Sequence, residues 1–169
     1  MPPVPHAEIL APGSAAFWLR IALAVVCGGA IGLERQLRGK VAGIRTSVLI
    51  CLGTSMFVSL GAALGGERAD PTRVLGQVVT GIGFLGAGVI LARDGRILGV
   101  TTAAVIWVLA AVGALIGLGY APAAVAITGV TLGVLVGVER LEEFWARRRG
   151  HRVSRELEGI EIPDSTDTR

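Results

Sequence analysis

The sequence predicts an all-α integral membrane bundle of about five transmembrane helices. Hydrophobic residues make up 52% of the 169 residues and charged residues only 17%, a balance typical of membrane proteins. The charged residues leave four long apolar runs, which are continuous rather than alternating and therefore favour helices over β-barrel strands. The 25 glycines indicate closely packed membrane helices.

The first predicted span covers residues 15–33, after a proline-rich segment, residues 1–14, which we expect outside the membrane. Arg20 lies near the start of this span, where its long side chain can reach the lipid headgroups. Gly28 and Gly32 form a G-x-x-x-G pair, a spacing that lets two helices approach closely.

The second predicted span covers residues 46–66 and contains no charged residue. Its hydroxyl side chains, Thr54, Ser55 and Ser59, are expected to bond to their own helix backbone. Cys27 in the first span and Cys51 in the second are interpreted as small buried hydrophobes, because neither the spacing nor the context indicates a metal site or a disulfide.

The third predicted span, residues 74–92, is expected to be the central helix of the bundle. Read at helical spacing, it has a stripe of large aliphatic residues, expected to face lipid, which consists of Val78, Ile82, Leu85 and Val89. The opposite stripe is small and expected to face other helices; it consists of Gly76, Thr80, Gly83 and Ala87. Gly81, Gly83 and Gly86 also have the spacing of the dinucleotide-binding fingerprint, but they lie inside one apolar run with no strand before them. A packing role is therefore predicted for these three glycines and for Gly88.

The last apolar run, residues 97–138, is twice as long as one span and must fold back. Gly119, Tyr120 and Pro122 supply a helix stop, an interfacial aromatic ring and a helix start, which gives spans at 97–118 and 121–138. Asp94 and Gly95 predict a tight turn before this run. The fifth span carries three glycines in steps of four, expected to pack against a helix of this subunit or of another copy: Gly129, Gly133 and Gly137.

The distribution of basic residues predicts the orientation. All of the 16 Lys and Arg residues except Arg20, Arg68 and Arg73 lie in the first loop, the third loop or the C-terminal tail. The positive-inside rule then places the N-terminus outside and the C-terminus in the cytoplasm. Residues 139–169 form a basic tail, expected to be helical at first and then disordered. Nucleic-acid binding is disfavoured, because the basic residues flank membrane spans.

Few residues in the predicted spans could carry chemistry. No ionisable residue falls near the middle of a span, which disfavours a proton-driven carrier. His6 and His151 lie near opposite ends of the chain, and no nucleophile–base pair or metal-ligand set is recognised, so we expect no enzyme and no cofactor and assign no metal site. A partly unwound helix around Gly81–Gly88 could still bind an ion through backbone carbonyl oxygens.

Five short motifs resemble those of the MgtC/SapB family: IGLERQ at residues 31–36, AGIRT at 42–46, DPTR at 70–73, GIGFLGAGVI at 81–90 and TTAAVIW at 101–107. The resemblance implies a multi-pass protein of the bacterial inner membrane, linked to growth at low magnesium and to virulence through survival in macrophages. The functional motif residues it implies are Glu34, Arg35, Arg45, Asp70, Arg73, Gln77, Thr101 and Thr102. Longer members carry a C-terminal soluble domain, which we expect this sequence to lack.

Three functions agree with these observations. The leading hypothesis is a regulator or adaptor of membrane partners under magnesium or acid stress; the resemblance implies the F-type ATP synthase as one such partner. The alternative is a small transporter or channel for Mg²⁺ or another cation, with its site around Gly81–Gly88. The third is a structural subunit of a larger membrane complex. Each requires the lipid bilayer, and each allows a homo-oligomer.

Overall fold

The computed structural model describes residues 11–64, 71–93 and 96–158. These residues form five α-helices, which confirms the predicted all-α fold: α1 (Ala15–Leu37), α2 (Ile44–Leu64), α3 (Pro71–Gly88), α4 (Val100–Gly117) and α5 (Ala121–Glu158). Four helices in the described part of the chain are long and apolar enough to cross a membrane, namely α1, α2, α4 and the part of α5 up to Leu141. α3 is not among them, and its 18 residues include Arg73 and Gln77.

Local sequence signals set several helix ends. Ser14 caps α1, because its side-chain oxygen accepts a hydrogen bond from the Phe17 backbone N–H at 3.2 Å. Gly99 precedes α4 with a φ of 88°, and an added Cβ there would collide with the carbonyl oxygen of Val89. Gly119, also at positive φ, reverses the chain between α4 and α5. The long apolar run is therefore interrupted where the sequence analysis places its turn.

A short hairpin separates α3 from α4, where the sequence analysis expects helix up to residue 92 and again from residue 97. β1 (Leu91–Arg93) pairs antiparallel with β2 (Arg96–Leu98), with Leu91 opposite Leu98 and Arg93 opposite Arg96. This register brackets Asp94-Gly95, a sequence that favours two-residue hairpin turns. The predicted turn itself lies outside the described residues.

The chain divides into two compact units, Met1–Leu132 and Gly133–Arg169. Among the described residues, the first unit contains α1 to α4, the hairpin and the start of α5. The second contains the remainder of α5, up to Glu158.

α4 is the most buried helix of the first unit, and it packs, as α2 does, against the other three of the helices α1 to α4. Ile106, Leu109, Val112 and Ile116 of α4 are almost completely buried. The expectation that the third helix is central is wrong, because α3 buries little more than Ile82 and Gly86. α3 is therefore a peripheral helix on a core made by α1, α2 and α4.

The orientation of α3 is also the reverse of the expected one. Three of the four residues in its aliphatic stripe face the bundle: Ile82 is buried, and Val78 and Val89 pack against the core, whereas Leu85 is 49% exposed. The small stripe is exposed along its whole length, from Gly76 to Ala87. Lipid chains are as apolar as these side chains, so no hydrophobic gain fixes which face turns inward and contacts with neighbouring helices decide it.

α1 and α2 approach each other backbone to backbone. A Cβ added at Gly28 would lie 2.8 Å from the Ser47 carbonyl oxygen, and one at Gly32 would lie 2.6 Å from the Ile44 Cα. No real side chain fits at those distances, so both glycines are required for this contact. The contacts also show that α1 and α2 are antiparallel, because later residues of α1 meet earlier residues of α2.

α4 uses a second glycine pair against the same helix. A Cβ added at Gly113 would lie 2.5 Å from the Cys51 carbonyl oxygen, and one at Gly117 would lie 2.7 Å from the Ser55 carbonyl oxygen. These two contacts run in the same chain direction, so α2 and α4 are parallel. α2 therefore packs closely against both α1 and α4, and each of these helices makes the contact through a G-x-x-x-G pair.

We predict that Gly113→Ala destabilises the protein by about 1–3 kcal/mol, because the new methyl group forces α2 and α4 apart. Gly129→Ala is the matched control, since an added Cβ meets nothing within 4 Å there and alanine favours a helix. The measurement is the thermal unfolding midpoint of the purified full chain in mild detergent. Equal midpoints for the two variants would contradict the close contact.

Candidate functional site

The helix contacts define two ends of the first unit. At one end, α1 and α4 meet α2 around Arg20, Ser59 and Gly117; this is called the Arg20 end. At the other end, α1 finishes and α2 begins around Glu34 and Arg45; this is called the Arg45 end.

The motif residues of the sequence analysis are divided between these ends and do not form one site. Five of them belong to the Arg45 end: Glu34, Arg35, Arg45, Thr101 and Thr102. Arg73 and Gln77 lie near the opposite end of α3 and are exposed. Asp70 lies outside the described residues. Any function that uses all of them must involve both ends of the bundle.

A buried ion-pair cluster forms at the Arg45 end. The Arg35 guanidinium lies 3.6 Å from the Glu34 carboxylate, and the side chains are only 4% and 9% exposed. Arg38, one turn further along α1, forms a second ion pair with Glu34. One carboxylate therefore compensates two guanidinium groups at the edge of the apolar bundle, where an uncompensated charge is costly.

The surroundings of this cluster are polar but incompletely paired. In this cluster, both carboxylate oxygens of Glu34, the Nε of Arg35 and the hydroxyl of Ser47 are buried without a hydrogen-bond partner among the described residues. Thr102 of α4 is also buried, whereas Thr101 and Arg45 are exposed. The Arg45 end thus combines a fixed, buried charge pair with an accessible arginine.

The Arg20 end is held by a hydrogen-bond cluster that the sequence analysis did not predict. Arg20 Nη1 donates to Ser59 Oγ at 2.9 Å and to the Gly117 carbonyl oxygen at 3.0 Å. Ser59 Oγ in turn donates to the same carbonyl oxygen at 3.1 Å. Two expectations are corrected here: Arg20 turns into the bundle rather than to the headgroups, and Ser59 bonds to α4 rather than to its own helix. The end of α4 offers the free carbonyl oxygen that attracts both donors.

An apolar groove lies between α2 and α3, backed by Ile106 of α4. Its cavity volume is about 830 Å³, within the range of ligand pockets. Leu49, Gly53 and Phe57 line it on α2, and Gly81 and Leu85 line it on α3. Thr46, Thr54 and Gln77 are the polar residues of this lining.

The glycines selected from the sequence have different surroundings. Gly28 and Gly32 lie in the α1–α2 contact described above, and a Cβ on Gly86 would lie 3.8 Å from Ala103. The others are exposed, and a Cβ added to any of them would meet nothing within 4 Å: Gly81, Gly83, Gly88, Gly129, Gly133 and Gly137. Their role in packing against another molecule stays a prediction.

The described residues contain no group of three or more His, Cys, Asp or Glu side chains that could hold a metal ion. Cys27 and Cys51 are both buried as free thiols, and the Cys51 thiol donates to the Leu109 carbonyl oxygen at 3.2 Å. Cys51 therefore contributes a link between α2 and α4 within the described part of the bundle.

The sequence is similar to known membrane proteins. The sequence profile of the MgtC family matches residues 21–144. An Escherichia coli K12 protein named "Putative magnesium transporter YhiD" is 50% identical over 63% of this chain and 53% of its own length. Protein MgtC of Brucella abortus strain 2308 is 42% identical over 77% of this chain and 56% of its own length. The chain spans little more than half of these curated relatives, and no solved structure matches it.

We predict that Glu34→Gln costs about 3–5 kcal/mol of stability, because it leaves the Arg35 guanidinium buried without a carboxylate. The double variant Glu34→Gln/Arg35→Met should recover much of this loss, since methionine fills the space without a charge. The free energy of unfolding, measured by detergent titration of the full chain, distinguishes the two variants. Lys40→Gln, at an exposed position of the same end, is the control and should change little. A double variant no more stable than Glu34→Gln would argue against a buried ion pair.

Proposed function

This chain belongs to the MgtC family, and we propose that it regulates membrane-protein partners, without catalysis, during adaptation to low magnesium or acid stress. The proposal places it in the bacterial inner membrane, with the N-terminus outside and the basic tail in the cytoplasm. The F-type ATP synthase is the first partner to test, on the resemblance set out above. The name of the Brucella relative, MgtC, supports the family role and no particular partner.

One observation carries the proposal: two helices present small-residue faces that are exposed. On α3 this face includes Gly76, Gly83 and Ala87. On α5 it is the row Gly129, Gly133 and Gly137. Each of these two faces would let the backbone of another membrane helix approach closely.

The physical reason for a partner lies in how helices associate in lipid. Apolar side chains gain nothing by leaving lipid for a protein surface, so association depends on close van der Waals packing along small residues. α1 and α4 use their glycines in this way against α2. The glycines of α5 have the same spacing of four, which supports the same use toward a second molecule.

We predict that replacing Gly129, Gly133 and Gly137 together by Leu lowers partner capture about tenfold, because leucines hold the partner helix away from α5. The matched control is Val130→Leu/Val134→Leu, which adds bulk at exposed positions of the same helix. The measurement is the amount of ATP synthase, or of another membrane complex, recovered with the tagged full chain from solubilised membranes. If the triple variant recovered as much partner as the unaltered chain, partner binding would not depend on packing against α5.

The alternative function, cation transport, is favoured by the name of the E. coli relative. The groove beside Gly81 does not suit Mg²⁺, which requires oxygen ligands and retains several water molecules. The polar residues among its lining are Thr46, Thr54 and Gln77, so few side-chain oxygens are available there. We therefore place transport second.

We expect liposomes containing the purified full chain to take up no more Mg²⁺ than protein-free liposomes, because the groove lining offers few oxygen ligands for the ion. A fluorescent Mg²⁺ indicator trapped inside the liposomes gives the measurement. Uptake that Gly81→Leu, in the groove lining, abolishes and Val130→Leu leaves intact would favour the transporter over the adaptor.

A further inference from the structure

We propose that the groove between α2 and α3 holds the acyl chains of an anionic phospholipid whose headgroup binds Arg45. The inference does not depend on the regulatory role proposed above. It rests on the shape of the groove, the chemistry of its lining and the charge at its Arg45 end.

The groove is long enough to hold the chains of a phospholipid. Its α2 wall extends from Thr46 to Leu64, about 27 Å at 1.5 Å per residue, whereas the chains of one leaflet reach about half of the hydrocarbon core, which is about 30 Å thick. It is open at Gly53, where an added Cβ would meet nothing within 4 Å. It narrows toward the other end, where a Cβ on Gly61 would lie 2.5 Å from the Val74 side chain. The Arg20 end of the groove is therefore the closed one, which leaves the half between the Arg45 end and Gly53 for the chains.

The lining favours a flexible apolar occupant over a rigid one. Leu49 and Phe57 line the groove and are each 66% exposed, so they project from α2 into the surrounding lipid. A bound helix would contact only the ends of these projecting side chains, because its rigid backbone cannot pass between them to the floor of the groove. An acyl chain can run between them and reach the floor formed by Ile82 and Ile106.

The charge at the entrance identifies the headgroup. Arg45 is exposed, directly precedes Thr46 of the groove, and lies one helical turn before Leu49 on the same face of α2. Among the described residues, no carboxylate forms an ion pair with Arg45, whereas Arg35 and Arg38 are both paired with Glu34. Arginine binds phosphate oxygens through paired N–H donors, so a phosphate-bearing, negatively charged headgroup complements this entrance.

Selectivity must come from the headgroup. The bilayer offers acyl chains the same apolar surroundings as the groove, so filling the groove does not by itself favour one lipid over another. A single basic residue near the membrane surface contributes about 1 kcal/mol of attraction to an anionic lipid, which corresponds to about a fivefold preference.

The test uses the full chain, purified in mild detergent and exposed to equal amounts of phosphatidylglycerol and phosphatidylcholine with identical acyl chains. Native mass spectrometry counts the lipids that remain bound. We expect phosphatidylglycerol to be retained about fivefold more, Arg45→Gln to abolish that preference, and Gly53→Leu to lower retention of both lipids by filling the groove. Gly83→Leu, on the exposed face of α3, is the matched control and should leave retention unchanged. Circular dichroism verifies that every variant is folded.

Three results would overturn the proposal. Equal retention of the two lipids by the unaltered protein would remove the charge argument. A preference lost in Arg73→Gln but kept in Arg45→Gln would place the headgroup at the opposite end. A lipid-free dimer that Gly53→Leu dissociates would show that a second copy of the chain occupies the groove.

Discussion

The described core depends on the close approach of two helices to α2. Gly28 and Gly32 on one side, and Gly113 and Gly117 on the other, bring backbones to distances that no Cβ would permit. In water such an arrangement could be replaced by larger side chains interlocking around a hydrophobic core. In lipid that alternative provides no hydrophobic gain, so the density of backbone contacts must hold the helices together. The other features of the fold follow from this constraint.

Close packing also explains how polar groups are tolerated at the helix ends. Because the helices meet backbone to backbone, the carbonyl oxygen of Gly117 lies within reach of Ser59 on α2 and Arg20 on α1. Glu34 and Arg35 are buried at the opposite end, where the negative charge of Glu34 compensates the positive charge of Arg35. The two polar clusters lie at the ends of the apolar layer, where water and headgroups reduce the cost of burying charge. They hold the ends of the helices together with the glycine contacts, which reach from Ile44 at the start of α2 to Gly117 at the end of α4.

Those features of the fold that depend on local signals, the helices and the turn between α4 and α5, could be predicted from the sequence. The five helices follow from uninterrupted apolar runs, and the reversal near Gly119 follows from its flanking residues. The sequence was insufficient to predict which helix is most buried, because α4 is apolar on all sides and its buried face has no distinguishing pattern. The orientation of α3 and the partners of Arg20 and Ser59 depend on contacts between distant parts of the chain. Of the candidate site, Glu34 and Arg35 were named by the family resemblance, whereas their burial depends on how α1 packs in the fold.

The reversed orientation of α3 connects the two proposals. With its aliphatic stripe turned inward, α3 and α2 enclose an apolar groove, and the small-residue stripe is left on the outer side. A large side chain at Gly83 would therefore leave the groove intact and obstruct an approaching helix. One at Gly53 would fill the groove without touching the small face of α3. A lipid and a protein partner can thus use different sides of the same helix, because α3 packs mainly against α2 and α4 and its small-residue stripe is exposed.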